Sequence, residues 1–230
     1  MLHVPPAQKV VLSVALTGVC LLGLPTRLFA EKIPFSKTFE RSGYKQVACR
    51  KGVTAYRNEG SNFLRMGAEG RLEASPAQVK AALLDYNRHA GTMPRLSVSR
   101  VLLRGRNWLL VYQRLRLPVV SDRDVVQRIT WGEAGGVTWI RFLTAPGKGP
   151  ARPSGVVRMT HHNGYWQLKP TAGGRATLAR FQVSTRMGGW MPSWMAKPHA
   201  GKDLPELYQA LGRLIKKRAV AASARRASQK

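Results

Sequence analysis

Acidic residues and cysteines are both scarce in this 230-residue chain, 11 and 2 against 38 lysines and arginines, and each shortage closes off a class of explanation. With Cys20 and Cys49 alone, no disulfide framework can hold the fold together, so an apolar core must. Few carboxylates leave little material for acid–base pairs. Asp122 and Asp124 form a close pair at the mouth of the expected sheet, and their basic neighbours point to structural ion pairing. The chain also lacks Gly-x-Ser-x-Gly, His-Glu-x-x-His, Cys-x-x-Cys and a phosphate-cradling glycine loop; Gly147-Lys148-Gly149 is too small a match. His161 and His162 are adjacent, so on a strand they face opposite ways and cannot share a metal. Asp85 and His89 stand one helical turn apart but have no third ligand nearby. No catalytic residue, metal or cofactor is expected.

What the chain has in excess is positive charge, formally +27. Such a charge attracts polyanions over a Debye length. Which polyanion depends on the compartment, and residues 1–30 bear on that. Val10 to Leu24 is an apolar run preceded by Lys9, too short for a comfortable span of about 20 residues but suited to a secretory signal peptide. Cleavage after Ala30 fits, with an uncleaved N-terminal anchor as the alternative. The expected location is therefore the periplasm, free or anchored, and the expected partner surface is anionic lipid, not nucleic acid. The domain is expected over residues 31–218, and a basic, disordered tail over 219–230, where Ala, Ser and basic residues predominate.

Between these ends the periodicity changes in a definite order. Residues 31–50 read as a short helix or irregular leader. Gly52–Arg57 is a strand candidate, and from Leu64 a period of two places Leu64, Met66, Ala68, Gly70, Leu72 and Ala74 on one face. Ser75-Pro76-Ala77-Gln78 carries an N-cap, a Pro in the first helical position and a capping-box Gln. The helix that follows should bury Val79, Ala82, Leu83 and Tyr86. From Leu96 to Met187 the pattern is a meander: Ser97–Leu103, Asn107–Leu117, Arg123–Trp131, Val137–Thr144, Val156–Pro170 with a bulge at Asn163-Gly164, and a last strand whose Thr177, Ala179, Phe181, Val183 and Thr185 share a face. Asp203-Leu204-Pro205-Glu206 reads as an N-cap, and Leu204, Leu207, Tyr208, Leu211, Leu214 and Ile215 make one apolar stripe on a long C-terminal helix. The class is α+β, an antiparallel sheet curved around that helix, since too few strands remain for a second sheet.

Aromatic side chains at Trp108, Tyr112, Trp131, Trp139, Phe142, Trp166 and Phe181 are spread over the meander, where they either fill a core or line a cavity. Trp190, Met191, Trp194 and Met195 crowd into six residues before the last helix, a composition suited to a membrane interface.

These residues resemble a known family. Leu117-Pro118-Val119-Val120-Ser121-Asp122-Arg123-Asp124 is similar to the START-domain segment in which a Pro-x-x-Ser-x-Arg-Asp loop enters a central strand. Gly188-Gly189-Trp190-Met191-Pro192-Ser193-Trp194-Met195 resembles the family's approach to its C-terminal helix. Gly52-Val53-Thr54-Ala55-Tyr56-Arg57 resembles its early strand, and Asp85 with Met93-Pro94 the close of its inserted helix. The resemblance covers about residues 45–218 and implies a helix-grip fold with a cavity for one lipid or other hydrophobic molecule. On it, Trp108, Tyr112, Val125, Trp139, Trp166, Phe181, Val183, Leu207 and Leu211 are expected to contact the ligand. Leu117, Pro118, Val119 and Val120, as the omega loop, and Trp190, Met191, Trp194 and Met195, as the start of the lid, are expected to meet the membrane. Lys197, where many members carry Asn, with Pro198 and Pro205, suggests a helix that starts near Pro192, pauses at His199–Asp203 and resumes. Related helix-grip proteins include cyclases and hydrolases; His161, Asp124 and Arg114 are the residues an enzyme reading has to offer, provided they face the cavity. A solid-cored basic protein that binds polyanions is the other alternative.

Overall fold

Alternation through Leu64–Leu72 turns every second side chain inward, and the same device repeated along the chain builds one ten-stranded sheet. The computed structural model describes residues 39, 42–58, 63–191 and 200–228. In chain order it has β1 (Lys45–Arg50), β2 (Val53–Asn58), β3 (Leu64–Leu72), helix α1 (Pro76–Leu83), a single 3-10 turn at Tyr86–Arg88, β4 (Leu96–Arg104), β5 (Trp108–Leu115), β6 (Arg123–Ala134), β7 (Val137–Thr144), β8 (Val157–Arg158), β9 (His161–Thr171), β10 (Ala176–Arg186) and helix α2 (Ala200–Ala227). The order across the sheet is β1-β2-β3-β10-β9-β7-β6-β5-β4. Neighbours are antiparallel; the two-residue β8 adds in parallel to the start of β6. This is the helix-grip arrangement, a curved antiparallel sheet with a shorter helix inserted after the first strands and a long helix at the end.

Local chemistry explains the joints. Ser75 caps α1 by accepting from the Gln78 backbone, while the Gln78 side chain accepts from the Ser75 N–H. Gly135 and Gly136, with φ of 56° and 73°, supply the two left-handed residues of the tight β6–β7 hairpin. The core lies between the inner face of the sheet and the two helices. Val79, Ala82 and Leu83 of α1 and Leu204, Tyr208, Leu211, Leu214 and Ile215 of α2 are buried there.

The inner face is graded in size. One cross-strand row runs Ala55, Ala68, Phe181, Trp166, Ile140, Trp131 from β2 to β6. At the small end α2 comes close: Gly70 has no Cβ, and one would stand 3.1 Å from the Tyr208 ring. The Tyr208 hydroxyl is shared between the carbonyls of Ala179 (2.9 Å) and Ala68 (3.1 Å). The backbone of α2 accordingly runs nearest β1, β2, β3 and α1. At the large end bulky side chains hold sheet and helix apart, so the interior is a wedge.

Several expectations are corrected. Residues 45–50, read as part of a helical or irregular leader, form an edge strand. β9 has no bulge at Asn163-Gly164, because its register with β10 is continuous there; the break falls between β8 and β9. Gly164 serves close approach instead: a Cβ would meet the Gln182 carbonyl and the Phe142 ring. Helix α2 is continuous from Ala200 through Asp203, without the expected pause there; the expected start near Pro192 and the stretch up to His199 lie outside the described residues. Asp203 is therefore not its N-cap; it sits in the first turn, 3.1 Å from Arg95. Pro205 lies inside the helix and forgoes the bond to the carbonyl four residues back without ending it. The Ala219–Lys230 segment is not a disordered tail in its described part, since α2 continues to Ala227, as a run rich in Ala and Arg favours.

Leu211 is fully buried at the centre of the α2 stripe. Replacing it by Ala is expected to lower unfolding free energy by about 2–5 kcal/mol, read from the shift of the urea midpoint at constant slope.

Candidate functional site

The strands present to α2 a wall made of Val125 and Ile129 on β6, Ile140 and Phe142 on β7, Trp166 on β9 and Phe181 and Val183 on β10, all buried. Phe181 packs against Trp166 at 4.7 Å and Phe142 at 6.0 Å between ring centroids, and Trp166 reaches Tyr208 of α2 at 5.4 Å. Of the residues expected to contact a ligand, Val125, Trp166, Phe181, Val183, Leu207 and Leu211 are thus brought to one interior.

Trp108, Tyr112 and Trp139 are not. Paired residues share a face, and the registers of β5, β6 and β7 put all three on the outer side. Tyr112 belongs to a second apolar cluster there with Leu110 and Val126, against which Trp108 packs. The Arg128 guanidinium lies 4.5 Å from the Trp108 ring centroid and Arg100 5.1 Å from that of Tyr112. Trp139 lies across Gly132, where a Cβ would clash with it. The inward residues of β5 are Leu109 and Val111. Trp108-Leu109-Leu110-Val111-Tyr112 is apolar on both faces, so its alternation carries no direction. Register with Phe181 and Trp166 resolves it.

The same parity separates the charges of the Ser-Asp-Arg-Asp segment. Asp124 points outward yet is fully buried, accepting from Arg158 of β8 at 2.7 and 2.9 Å and from the Tyr112 hydroxyl at 3.2 Å. Asp122 accepts from Arg114 at 2.7 Å. Arg123 points inward and is fully buried; its guanidinium donates to the carbonyl of Ser121 and, at 3.0 Å each, to those of Gly188 and Trp190. One side chain thereby joins the loop before β6 to the segment after β10. This is the rim of the interior, and it carries exposed apolar groups: Val119 is 77% and Trp190 76% accessible. Val119 also has φ of 57°, a left-handed conformation that costs a β-branched residue about 1–2 kcal/mol. Pro118 is exposed, and Val120 and Met191 are half-buried. Leu117, expected at the membrane, is instead buried in the protein, because the turn that lifts Val119 outward folds it under. Trp194 and Met195 lie outside the described residues, as do the expected leader and cleavage site.

Below Arg123 at the rim, polar groups on the inner wall are few and satisfied. Gln127 donates to the His162 carbonyl at 2.8 Å. The His162 ring lies 5.7 Å from Phe142 and its Nδ1 3.1 Å from Thr185 Oγ1; loss of hydration pushes its pKa down from 6.5 to about 4. His162 is the inward histidine that sequence reading passed over. The enzyme candidates fare differently: His161 faces outward against Phe63 and Ser184, and Asp124 and Arg114 are tied up in outer ion pairs. Among the described residues no group of His, Cys, Asp and Glu could hold a metal. Outside the wedge, a groove of about 520 Å³ runs past Ser75, Pro76, Lys80, Glu133, Thr138 and Pro170. It is open to solvent and spanned by the Lys80–Glu133 pair at 3.8 Å, and no ring of the wall reaches it.

This geometry has relatives. Residues 72–211 match the family described as polyketide cyclase / dehydrase and lipid transport. A Pseudomonas aeruginosa protein, named only as uncharacterized, is 27% identical over 148 residues, 63% of this chain and 73% of the relative. The crystal structure of a STAR-related lipid transfer protein fragment from Xanthomonas axonopodis superposes with a TM-score of 0.69 at 28% identity, covering 76% of this chain and 99% of that one. Human STARD10 gives the same TM-score at 15% identity, covering 80% and 77%, a likeness of fold.

His162 and His89 share one consequence. His89 donates to the Ala82 carbonyl at 3.0 Å, and burial lowers its pKa too. Above pH 6.5 both histidines are neutral whether folded or not. Below it the unfolded chain takes up protons that the folded one resists, so stability is lost as pH falls from 6.5 toward about 4. Urea midpoints measured across that window are expected to drop, and His162→Gln to flatten the drop.

Proposed function

Since the chain belongs to the polyketide cyclase / dehydrase and lipid transport family, with a START-like domain, we propose that it holds a lipid or similar hydrophobic molecule between its sheet and α2 and passes it to and from membranes. The observation that carries this is the size gradient of the inner face. Small residues under one side of α2 and large ones under the other make a wedge whose wide end is walled by Phe142, Trp166, Phe181 and Val125. Apart from Arg123 at the rim, polar atoms on that wall are already bonded, so it offers a guest apolar area, at about 25 cal/mol per Å² buried.

Transfer needs a way in. The rim supplies two exposed apolar groups, Val119 and Trp190, beside a surface of high positive charge. Near anionic lipid each Lys or Arg contributes about 1 kcal/mol, and a Trp side chain settles at the head-group level. The apolar run at Val10–Leu24 supports an exported protein, periplasmic or anchored facing the periplasm. No helix among the described residues is long and apolar enough to cross a bilayer.

Organic extraction of the purified protein followed by mass spectrometry is expected to release a hydrophobic molecule in near-stoichiometric amount. Protein that yields none, and takes up none from vesicles, would count against the reading. Trp190→Ala is expected to weaken binding to anionic vesicles several-fold in a flotation assay while leaving the urea midpoint unchanged, because the indole is exposed.

A further inference from the structure

Charged side chains buried as completely as Arg123 and Asp124 are rare, and the two are not balanced alike. Asp124 has Arg158. Arg123, also without exposure, has no carboxylate partner among the described residues. Its terminal nitrogens meet the carbonyls of Ser121, Gly188 and Trp190, and its Nε–H is buried with no acceptor. Neutral carbonyls offset a buried guanidinium less well than an anion does, since only an anion adds charge–charge attraction to the hydrogen bond. Burial accordingly pulls its pKa down.

Position gives this deficit a direction. Arg123 stands on the inward parity of β6, two residues before Val125 and six before Ile129, and its head lies directly beneath Trp190 at the rim. An elongated guest whose apolar body runs along Val125 toward Ile129 and Phe142 therefore ends at the guanidinium. The acceptors now occupying it belong to a segment able to yield, because Gly188 and Gly189 both have φ of 65° and no side chain to re-pack.

We propose that Arg123 is the counter-charge for an anionic head group, a carboxylate or phosphate carried on an apolar body, so that the guest is an anionic amphiphile seated head-outward. The proposal rests on the reading of the interior as a ligand cavity. On binding, the head's oxygens take the unbonded Nε–H and replace one or more of the carbonyls, loosening the hold of Arg123 on the Gly188–Trp190 segment. Loading and release of that segment are thereby linked.

The test compares palmitate with its methyl ester, two probes of equal chain that differ in charge, by tryptophan fluorescence titration of the full chain. Palmitate is expected to bind at least about tenfold more tightly, and Arg123→Gln, checked for folding by circular dichroism, to bring the two together. Equal affinity in the native protein would overturn the assignment while leaving the cavity reading intact. Binding of neither probe, with nothing co-purifying, would overturn both. Inorganic phosphate is titrated in parallel; if it competes as strongly as palmitate, the site belongs to a free anion and the amphiphile proposal fails. Should Arg123→Gln not fold, the comparison in the native protein decides alone.

Discussion

Two adjacent residues of β6, Arg123 and Asp124, point to opposite faces of the sheet and are both removed from water, and the rim of the interior depends on that pair. Asp124 fixes β8 from outside through Arg158. Arg123 fixes the Gly188–Trp190 segment from inside. The two holds meet at Val157 of β8, whose methyls lie 3.0–3.4 Å from where side chains of Gly188 and Gly189 would begin, so a Cβ on either glycine would press on Val157 as well as strain a backbone at φ of 65°. Breaking a buried pair leaves an unmatched charge, worth several kcal/mol. The rim is therefore rigid where it is charged and adaptable where glycine forms it.

The interior follows from a different economy of shape. Glycine and alanine on β2, β3 and β10 let Tyr208 settle against backbone carbonyls, which anchors α2 at one side. Aromatic residues opposite set the gap on the other. A helix anchored along one side can shift at its far side with fewer contacts broken than one packed evenly, and the exposed rim lies on the β6 side of the sheet.

Much of this was legible in the chain. The capping box of α1, the inward parity of β3 and β10, and the apolar stripe of α2 rest on local periodicity and end signals, which survive tertiary packing. The START resemblance rested on short motifs, and the fold and family bear it out. The site was legible only in part. Val125, Trp166, Phe181 and Val183 lie on strands whose alternation is clean or whose partners are. Trp108, Tyr112 and Trp139 read as inward because they are aromatic, but an outer cluster under Arg100 and Arg128 claims the first two, and Gly132 leaves room for the third. Leu117 was grouped with its loop, whereas a left-handed turn at Val119 separates their fates. Helix α2 differs from its reading at two points: it runs unbroken through Pro205, and it continues to Ala227, because a run rich in Ala and Arg favours helix even without an apolar stripe.

Among the described residues the sheet ends at β1 and β4, and a sheet margin is where a further strand can pair. Both are spoiled for that purpose. β1 shifts register between Gln46 and Ala48 and β4 does so twice, and they carry Lys45 and Arg50 on one side and Arg100 and Arg104 on the other. Irregular, like-charged borders repel a second copy before hydrogen bonds can zip. The basic residues on these two margins thus work against edge-to-edge pairing of two copies.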